Sequence, residues 1–191
     1  MIFYFTISYI LGSIPFGLIL SKIFSKNDPR NHGSKNIGAT NITRLSGWKL
    51  GFSTLLFDCL KAFIPVKLCF LYEEKYILLI IIFVFIGHIF PIWLKFKGGK
   101  GIAVMIGILF GLSYIYAIIF IFTWILIALI YKYSSLSAII SCITIVIVIY
   151  FNEDKPLTFV IFILNLIVLI KHMPNIKRLI NKTEPKISFK K

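Results

Sequence analysis

Acidic residues are scarce in this chain: seven Asp and Glu stand against 21 Lys and Arg among 191 residues, a net charge of +14. The three cysteines, Cys59, Cys69 and Cys142, all fall inside apolar stretches, so neither a disulfide framework nor metal-ligand spacing is expected. No His-x-x-x-x-Asp dyad occurs, because Ile37, Trp93 and Lys177 stand five residues after His32, His88 and His172. Gly-x-Ser-x-Gly, His-Glu-x-x-His and a paired-aspartate metal motif are also missing. An enzyme built on this sequence works without a Ser/His nucleophile system, a metal or a cofactor. No basic segment and no small-residue cleavage site accompany the apolar run that opens at Ile2, which therefore reads as a retained first helix.

What the chain has in excess is apolar surface. Hydrophobic residues make up 59% of it, above the roughly 45–50% of soluble domains, which indicates an all-α integral membrane protein. Lys and Arg sit in the gaps between apolar runs and are not interleaved along amphipathic elements, so nucleic acid is excluded as a partner.

A membrane helix needs about 20 mostly apolar residues. Ile2–Phe24, Leu50–Tyr72, Tyr76–Leu94, Ser137–Phe151 and Pro156–Ile170 are candidates, the last two short. The stretch Ile102–Tyr131 is too long for one upright helix and short for two. Charge parity decides between them. Alternate gaps hold Lys22, Lys26, Arg30, Lys35, Arg44 and Lys49; Lys95, Lys97 and Lys100; Lys132; and the basic tail after Ile170, together 17 of the 21 basic residues. All of them lie in the cytoplasm only if Ile102–Tyr131 crosses twice, turning near Gly111-Leu112-Ser113-Tyr114. Seven transmembrane helices are expected in a single polytopic domain over 1–191, N-terminus outside and C-terminus cytoplasmic. Ile102–Phe110 is then a short or re-entrant helix, and residues 25–49, 95–101 and 171–191 are the cytoplasmic loops and tail.

Two of those loops carry more than charge. Gly33-Ser34-Lys35-Asn36-Ile37-Gly38-Ala39-Thr40-Asn41, followed by Arg44, combines tight-turn glycines, hydroxyl and amide groups and a guanidinium suited to a phosphate. Lys95-Phe96-Lys97-Gly98-Gly99-Lys100-Gly101 lacks the P-loop spacing, yet its glycines lead into a helix N-terminus, where N–H groups and a positive dipole end favour anions. Two such islands in a membrane protein suggest an anionic, phosphate-bearing substrate. The competing reading is a pair of solvated loops whose charges only set topology, which leaves the accompanying glycines and asparagines unexplained.

Elsewhere the residues admit plainer readings. His88 reads as a helix–helix hydrogen-bonding residue, and Ser134, Ser135 and Ser137 as caps of the sixth span. Asp58 and Lys61, at i and i+3 inside the second span, read as structural glue lying well away from the polar loops. His172 and Asn175 share a face if the last helix continues.

Gly12-Ser13-Ile14-Pro15-Phe16-Gly17, the string from His32 to Arg44, Gly87-His88-Ile89-Phe90-Pro91 with Lys95–Gly101, and His172-x-x-Asn175-Ile176-x-Arg178-Leu179 with Glu184 resemble the bacterial acyl-phosphate:glycerol-3-phosphate acyltransferases (PlsY). The resemblance runs end to end, with two departures: Lys35 where the family usually has Gly, and Asn181 near a position where Gly commonly precedes the Glu. It implies a seven-span protein of the bacterial (inner) cell membrane with its active site on the cytoplasmic face. The implied reaction joins a fatty acyl-phosphate and glycerol-3-phosphate into lysophosphatidic acid and phosphate, with substrate phosphate as general base. It also implies a functional link to the enzyme that makes acyl-phosphate. On this resemblance Lys100, Ser34 and Arg44 are the catalytic candidates. Ser34, Asn36, Arg44, Ser135, Ser137, His172 and Asn175 are expected to hold glycerol-3-phosphate. Asn41, Gly98, Gly99, Lys100 and Gly101 are expected on the acyl-phosphate. The rival from another class is an organic-phosphate transporter or channel, against which stand the absence of an internal repeat and the clustering of polar residues at one face.

Overall fold

The computed structural model describes residues 2–25 and 28–187. Lys26, Asn27, Lys190 and Lys191, which enter the charge count and the loop limits above, lie outside the described residues. The chain divides into two compact units, residues 1–112 and 113–191. Among the described residues, helices carry almost all the regular structure.

The first unit contains α1 (Ile2–Ser13), α2 (Phe16–Phe24), α3 (Ala39–Ser46), α4 (Trp48–Tyr72), α5 (Ile77–Ile89) and α6 (Ile102–Leu112). The expected first span is interrupted at Ile14-Pro15, because proline has no N–H to continue the ladder. Helix α1 lies along α5 at very close range. A Cβ on Gly12 would strike the Val84 carbonyl, and one on Gly87 the Tyr9 carbonyl. Without a hydrophobic drive between helices in lipid, this backbone-to-backbone approach through small residues is what lets them pack. Helices α4 and α6 make the other principal contact of the unit. Phe85, Ile81, Ile89, Met105, Ile108 and Leu109 are fully buried and form its core.

The second unit contains α7 (Tyr114–Tyr131), α8 (Ser134–Asn152), α9 (Lys155–Lys171) and α10 (Met173–Ile180). The break between α6 and α7 falls at Ser113, inside the segment where the sequence places a turn. Asp154 caps α9: its carboxylate accepts the Leu157 N–H at 3.0 Å, with Pro156 in the first turn, where a missing N–H does no harm. Helices α9 and α10 meet at His172 with a bend of 56°. Phe120, Ile145, Ile149, Ile161, Leu164 and Val168 pack the interior.

Among the described residues, four helical segments are long and apolar enough to cross a membrane: Ile2–Phe24, Glu74–Leu94, Tyr114–Tyr131 and Ser134–Asn152, with a fifth if the bent pair α9–α10 is one span. Helix α4 has the length, at 25 residues, but every 18-residue stretch of it carries three charged side chains. Two of these are Asp58 and Lys61, which neutralise each other at 2.7 Å. Helix α6 has 11 residues, about half of the bilayer's hydrocarbon thickness at ~1.5 Å per residue.

The two departures from the family pattern meet a common backbone feature. Lys35 has φ +55°, and the left-handed residue that follows α10 is Lys182, at φ +57°, with Asn181 still on the right-handed side. Glycine adopts that region without strain; a lysine does so at a cost of roughly 1–2 kcal/mol.

Gly87→Ala places a methyl group on the Tyr9 carbonyl and forces α1 and α5 apart. Thermal unfolding in detergent should register a loss of about 1–3 kcal/mol; an unchanged melting temperature would contradict the close approach.

Candidate functional site

In the first unit the polar loop is organised from within, around the side chain of Asn41. That residue, in the first turn of α3, is 2% exposed. Its Oδ1 accepts the Ser34 N–H at 2.9 Å. Its Nδ2 donates to the carbonyls of Asn36 (2.8 Å), Pro29 (3.1 Å) and His32 (3.2 Å). A single carboxamide thereby closes a loop that has no regular structure of its own. Both ends of the Asn41 amide, expected on the acyl-phosphate, are engaged inside the loop. Asn36 contributes similarly, its Oδ1 accepting the Gly38 N–H at 2.8 Å in an Asx turn.

The loop opens on a two-point pair, Arg30 Nε to Asp28 Oδ1 at 2.9 Å and Nη2 to Oδ2 at 2.6 Å. The Arg30 guanidinium holds the Asp28 carboxyl down at about 2, so Arg30 is already neutralised at physiological pH. Ser34 is half-buried, while Arg44 is exposed on the last turn of α3.

The glycine-rich island takes a form that the sequence does not announce. Gly98 N–H donates to the Ile89 carbonyl at 3.1 Å and Gly99 N–H to the His88 carbonyl at 3.2 Å. Both of these N–H groups, expected on the acyl-phosphate, point back at the end of α5. The glycines serve a different need: a Cβ on Gly99 would overlap the His88 imidazole, so the segment lies flat on that ring. Gly101, at φ +91°, then turns the chain into α6. The first N–H groups of α6 have no acceptor within their own helix, and the half-buried Lys100 stands two residues before it.

Asp58 and Lys61 are closer to this island than expected. Asp58 Oδ1 lies 4.0 Å from His88 Nδ1, and Gly99 rests on the same imidazole. One side chain separates the intramembrane pair from the loop, and the reading of the pair as remote does not hold.

In the second unit a buried carboxylate gathers the polar groups. Glu184, 7% exposed, accepts Ser135 Oγ–H and Asn175 Nδ2–H on Oε1, each at 2.7 Å, and Arg178 Nε–H on Oε2 at 2.7 Å. Burial pushes the Glu184 carboxyl up, but these three donors and the Arg178 charge outweigh it and leave it below the ordinary carboxylate value. His172 donates from Nδ1 to the Val168 carbonyl at 2.8 Å. A carbonyl has no proton to give, so Nδ1 is the protonated ring nitrogen in this contact. The N-cap residue of α8 makes no side-chain capping bond. Tyr133 holds the N-cap position, Ser135 bonds Glu184, and Ser137 donates to the Tyr133 carbonyl at 2.8 Å.

Sequence reasoning missed the two organisers, Asn41 and Glu184, as such. The available signal was that Glu184 is the single acid in a strongly basic tail.

Asn41→Ala leaves three carbonyls and one N–H without their shared partner, at about 1–3 kcal/mol for each buried group stranded. Trypsin should then cut the loop at Arg30 and Lys35 at least tenfold faster, by a margin on the order of the 1.4 kcal/mol that a factor of ten represents. Glu184 has its pKa depressed on folding, so its stabilisation is complete above the ordinary value of 4.5 and is lost as pH falls through the lower folded value. The stability gap between wild type and Glu184→Gln should therefore be constant from pH 7 towards 4.5 and close below it; a gap that ignores acid would contradict the cluster.

The described geometry has close counterparts. A family model described as "Glycerol-3-phosphate acyltransferase" matches residues 2–182. A glycerol-3-phosphate acyltransferase of Pelagibacter ubique is 45% identical over 179 residues, covering 94% of this chain and 93% of that protein. Its counterpart in Brucella canis is 43% identical over 182 residues, covering 95% and 90%. Among solved structures, PlsY, an integral membrane glycerol 3-phosphate acyltransferase, superposes in its glycerol 3-phosphate form with a TM-score of 0.93 at 31% identity, covering 98% of this chain and 95% of that one. Its lysophosphatidic acid form gives 0.90 at 30% identity with the same coverage. The match is continuous from the first helix through the polar loops to the tail, and this chain belongs to the glycerol-3-phosphate acyltransferase family.

Proposed function

We propose that the protein transfers a fatty acyl group from acyl-phosphate to the sn-1 hydroxyl of glycerol-3-phosphate, releasing lysophosphatidic acid and inorganic phosphate, the first step of phospholipid synthesis. The observation that carries this reading is the pair of basic, self-ordered segments in the first unit, the Asn41-centred loop and the glycine island that exits into α6. Each substrate brings a phosphate, and each segment supplies positive charge beside polar groups.

An acyl-phosphate is a mixed anhydride with a good leaving group, so the protein's task is positioning and charge neutralisation. The acceptor hydroxyl oxygen attacks the acyl carbon, the carbon–oxygen bond to phosphate breaks, and its electron pair leaves with the phosphate. The hydroxyl proton passes to a phosphate oxygen of the substrates. Lys100 and the first N–H groups of α6 meet the donor phosphate as negative charge grows on it, with Gly101 as the turn that presents them. Gly98 and Gly99 act indirectly, by letting the island lie on His88. Ser34, the Asn36 amide and Arg44 bind glycerol-3-phosphate, with Asn41 holding their loop. His172 and Asn175 are assigned to the same substrate. Of the two serines, Ser135 is favoured, because its hydroxyl belongs to the Glu184 cluster and that of Ser137 is turned back on its own helix.

The proposed setting is a bacterial inner membrane crossed seven times by one polytopic domain, with the N-terminus outside and the basic loops and tail in the cytoplasm. The charge parity of the gaps supports it. Reagent labelling of single cysteines at the two termini in sealed vesicles checks the orientation. An enzyme that makes acyl-phosphate would supply the donor, and bilayer lipid would surround the acyl chain.

Purified protein in lipid should release phosphate from palmitoyl-phosphate only when glycerol-3-phosphate is present, with lysophosphatidic acid formed in equal amount. Lys100→Ala should lower kcat on the order of 10²–10³-fold, as loss of one preorganised donor does elsewhere. Accumulation of glycerol-3-phosphate in vesicles without covalent change would instead establish the transporter reading.

A further inference from the structure

The interruption of the first membrane segment joins more than two half-helices. Pro15 brings no N–H for the Leu11 carbonyl, which takes the Ile14 N–H at 3.2 Å in its place, and the helical ladder breaks in an apolar setting, where an unanswered carbonyl is costly. The Ile14 carbonyl accepts the Phe16 N–H at 3.1 Å and, from another helix, Lys61 Nζ of α4 at 2.6 Å. Lys61 is itself held by Asp58 at 2.7 Å, and the two side chains are 2% and 4% exposed. Next to it, Ser13 Oγ accepts Trp93 Nε1–H at 2.7 Å. Trp93 stands in the short turn Ile92–Leu94, which feeds directly into Lys95–Gly101.

Both polar loops are in touch with this junction. On the far side of the break, Gly17 of α2 lies against the carbonyl of Ile37, in the middle of the first loop. The glycine island reaches it twice, through Trp93 and through His88, which carries Gly99 on one side and faces Asp58 on the other. A buried ion pair can often be replaced by neutral side chains of similar volume with little loss of stability. Stability therefore gives no reason for an ammonium here. What an apolar replacement lacks is the donor to Ile14.

We infer that Lys61, locked in place by Asp58, is a positioning residue for acyl transfer: it fixes the Ile14-Pro15 break and, through it, the spacing between the Asn41-centred loop and the glycine island. The catalytic part of this inference rests on the acyltransferase reading above, whereas the spacing part does not.

The test compares Asp58→Asn/Lys61→Met, which removes the charges and the donor, with Asp58→Asn/Lys61→Gln, which removes the charges and keeps a donor. The first readout is kcat and KM with palmitoyl-phosphate and glycerol-3-phosphate. The second is the distance distribution between spin labels at His32→Cys and Lys97→Cys, in a background with the three native cysteines replaced by alanine. Misplacement by about 1 Å can cost about a hundredfold in rate. The Met variant should lose ten- to a hundredfold in kcat with both KM values within threefold of wild type, and its label distribution should broaden. The Gln variant should recover at least a third of wild-type kcat and the narrow distribution. If the Met variant does not fold, Trp93→Phe, which deletes only the N–H that binds Ser13, should give the same kcat loss and broadening in smaller measure. Wild-type kcat together with an unchanged distribution in the Met variant, or in Trp93→Phe where that variant replaces it, would overturn the inference. Wild-type protein that turns over neither substrate would defeat the acyltransferase reading instead, and the label distances alone would then decide the spacing.

Discussion

A carbonyl in hydrocarbon must find its donors within its own protein, and the Ile14 carbonyl finds two, the Phe16 N–H beside it and Lys61 Nζ from another helix. Much of the first unit follows from how that requirement is met. At the break made by the proline, the Lys61 ammonium of α4 reaches the Ile14 carbonyl, and a carboxylate one turn before it on α4 matches the charge. The glycines at 12 and 87 bring α1 against α5 closely enough for Ser13 to reach Trp93. A defect in one helix has become the point where four elements are tied. Its polar cost is reduced because the Lys61 ammonium stands between the Ile14 carbonyl and the Asp58 carboxylate.

The two polar regions share a second device. Each is built around one side chain with several hydrogen-bonding positions, a neutral carboxamide at Asn41 and a carboxylate at Glu184. The choice fits the task. Asn41 must satisfy carbonyls and an N–H together, which needs a group that both donates and accepts. Glu184 meets only donors, one of them cationic, which suits an acceptor with charge. In both cases an irregular segment is held by a hub, and the more exposed basic residues are left at the edge of an ordered frame.

The helices were legible in the sequence because length and apolarity decide them locally. Hence the break in the apolar stretch after residue 102 falls at Ser113, within the expected turn, and the limits of α4, α8 and α9 shift by only a few residues. The site was legible as a set of residue types and much less as a set of roles. Ser135 and Glu184 are 49 positions apart, and nothing between them announces a hydrogen bond. The N–H groups of Gly98 and Gly99 turn towards α5 because His88 and Ile89 carbonyls at a helix end need donors, a demand visible only once the segments are folded together. Lys35, which looked like a loose fit to the family pattern, proves to occupy a left-handed backbone position that explains the usual glycine. The intramembrane pair was misjudged for a similar reason: its neighbour His88 lies on another helix.

In the proposed reaction the glycerol-3-phosphate hydroxyl attacks the acyl carbon and the phosphate leaves intact. This can be tested on the bond that breaks, with palmitoyl-phosphate carrying heavy oxygen at the position bridging carbon and phosphorus. Incubation with glycerol-3-phosphate and the protein in lipid, followed by mass spectrometry of the products, reads the outcome directly. The account predicts that all of the heavy oxygen leaves in inorganic phosphate and none remains in lysophosphatidic acid. Heavy oxygen retained in a free fatty acid, with the phosphoryl group found elsewhere, would mean attack at phosphorus and would contradict it.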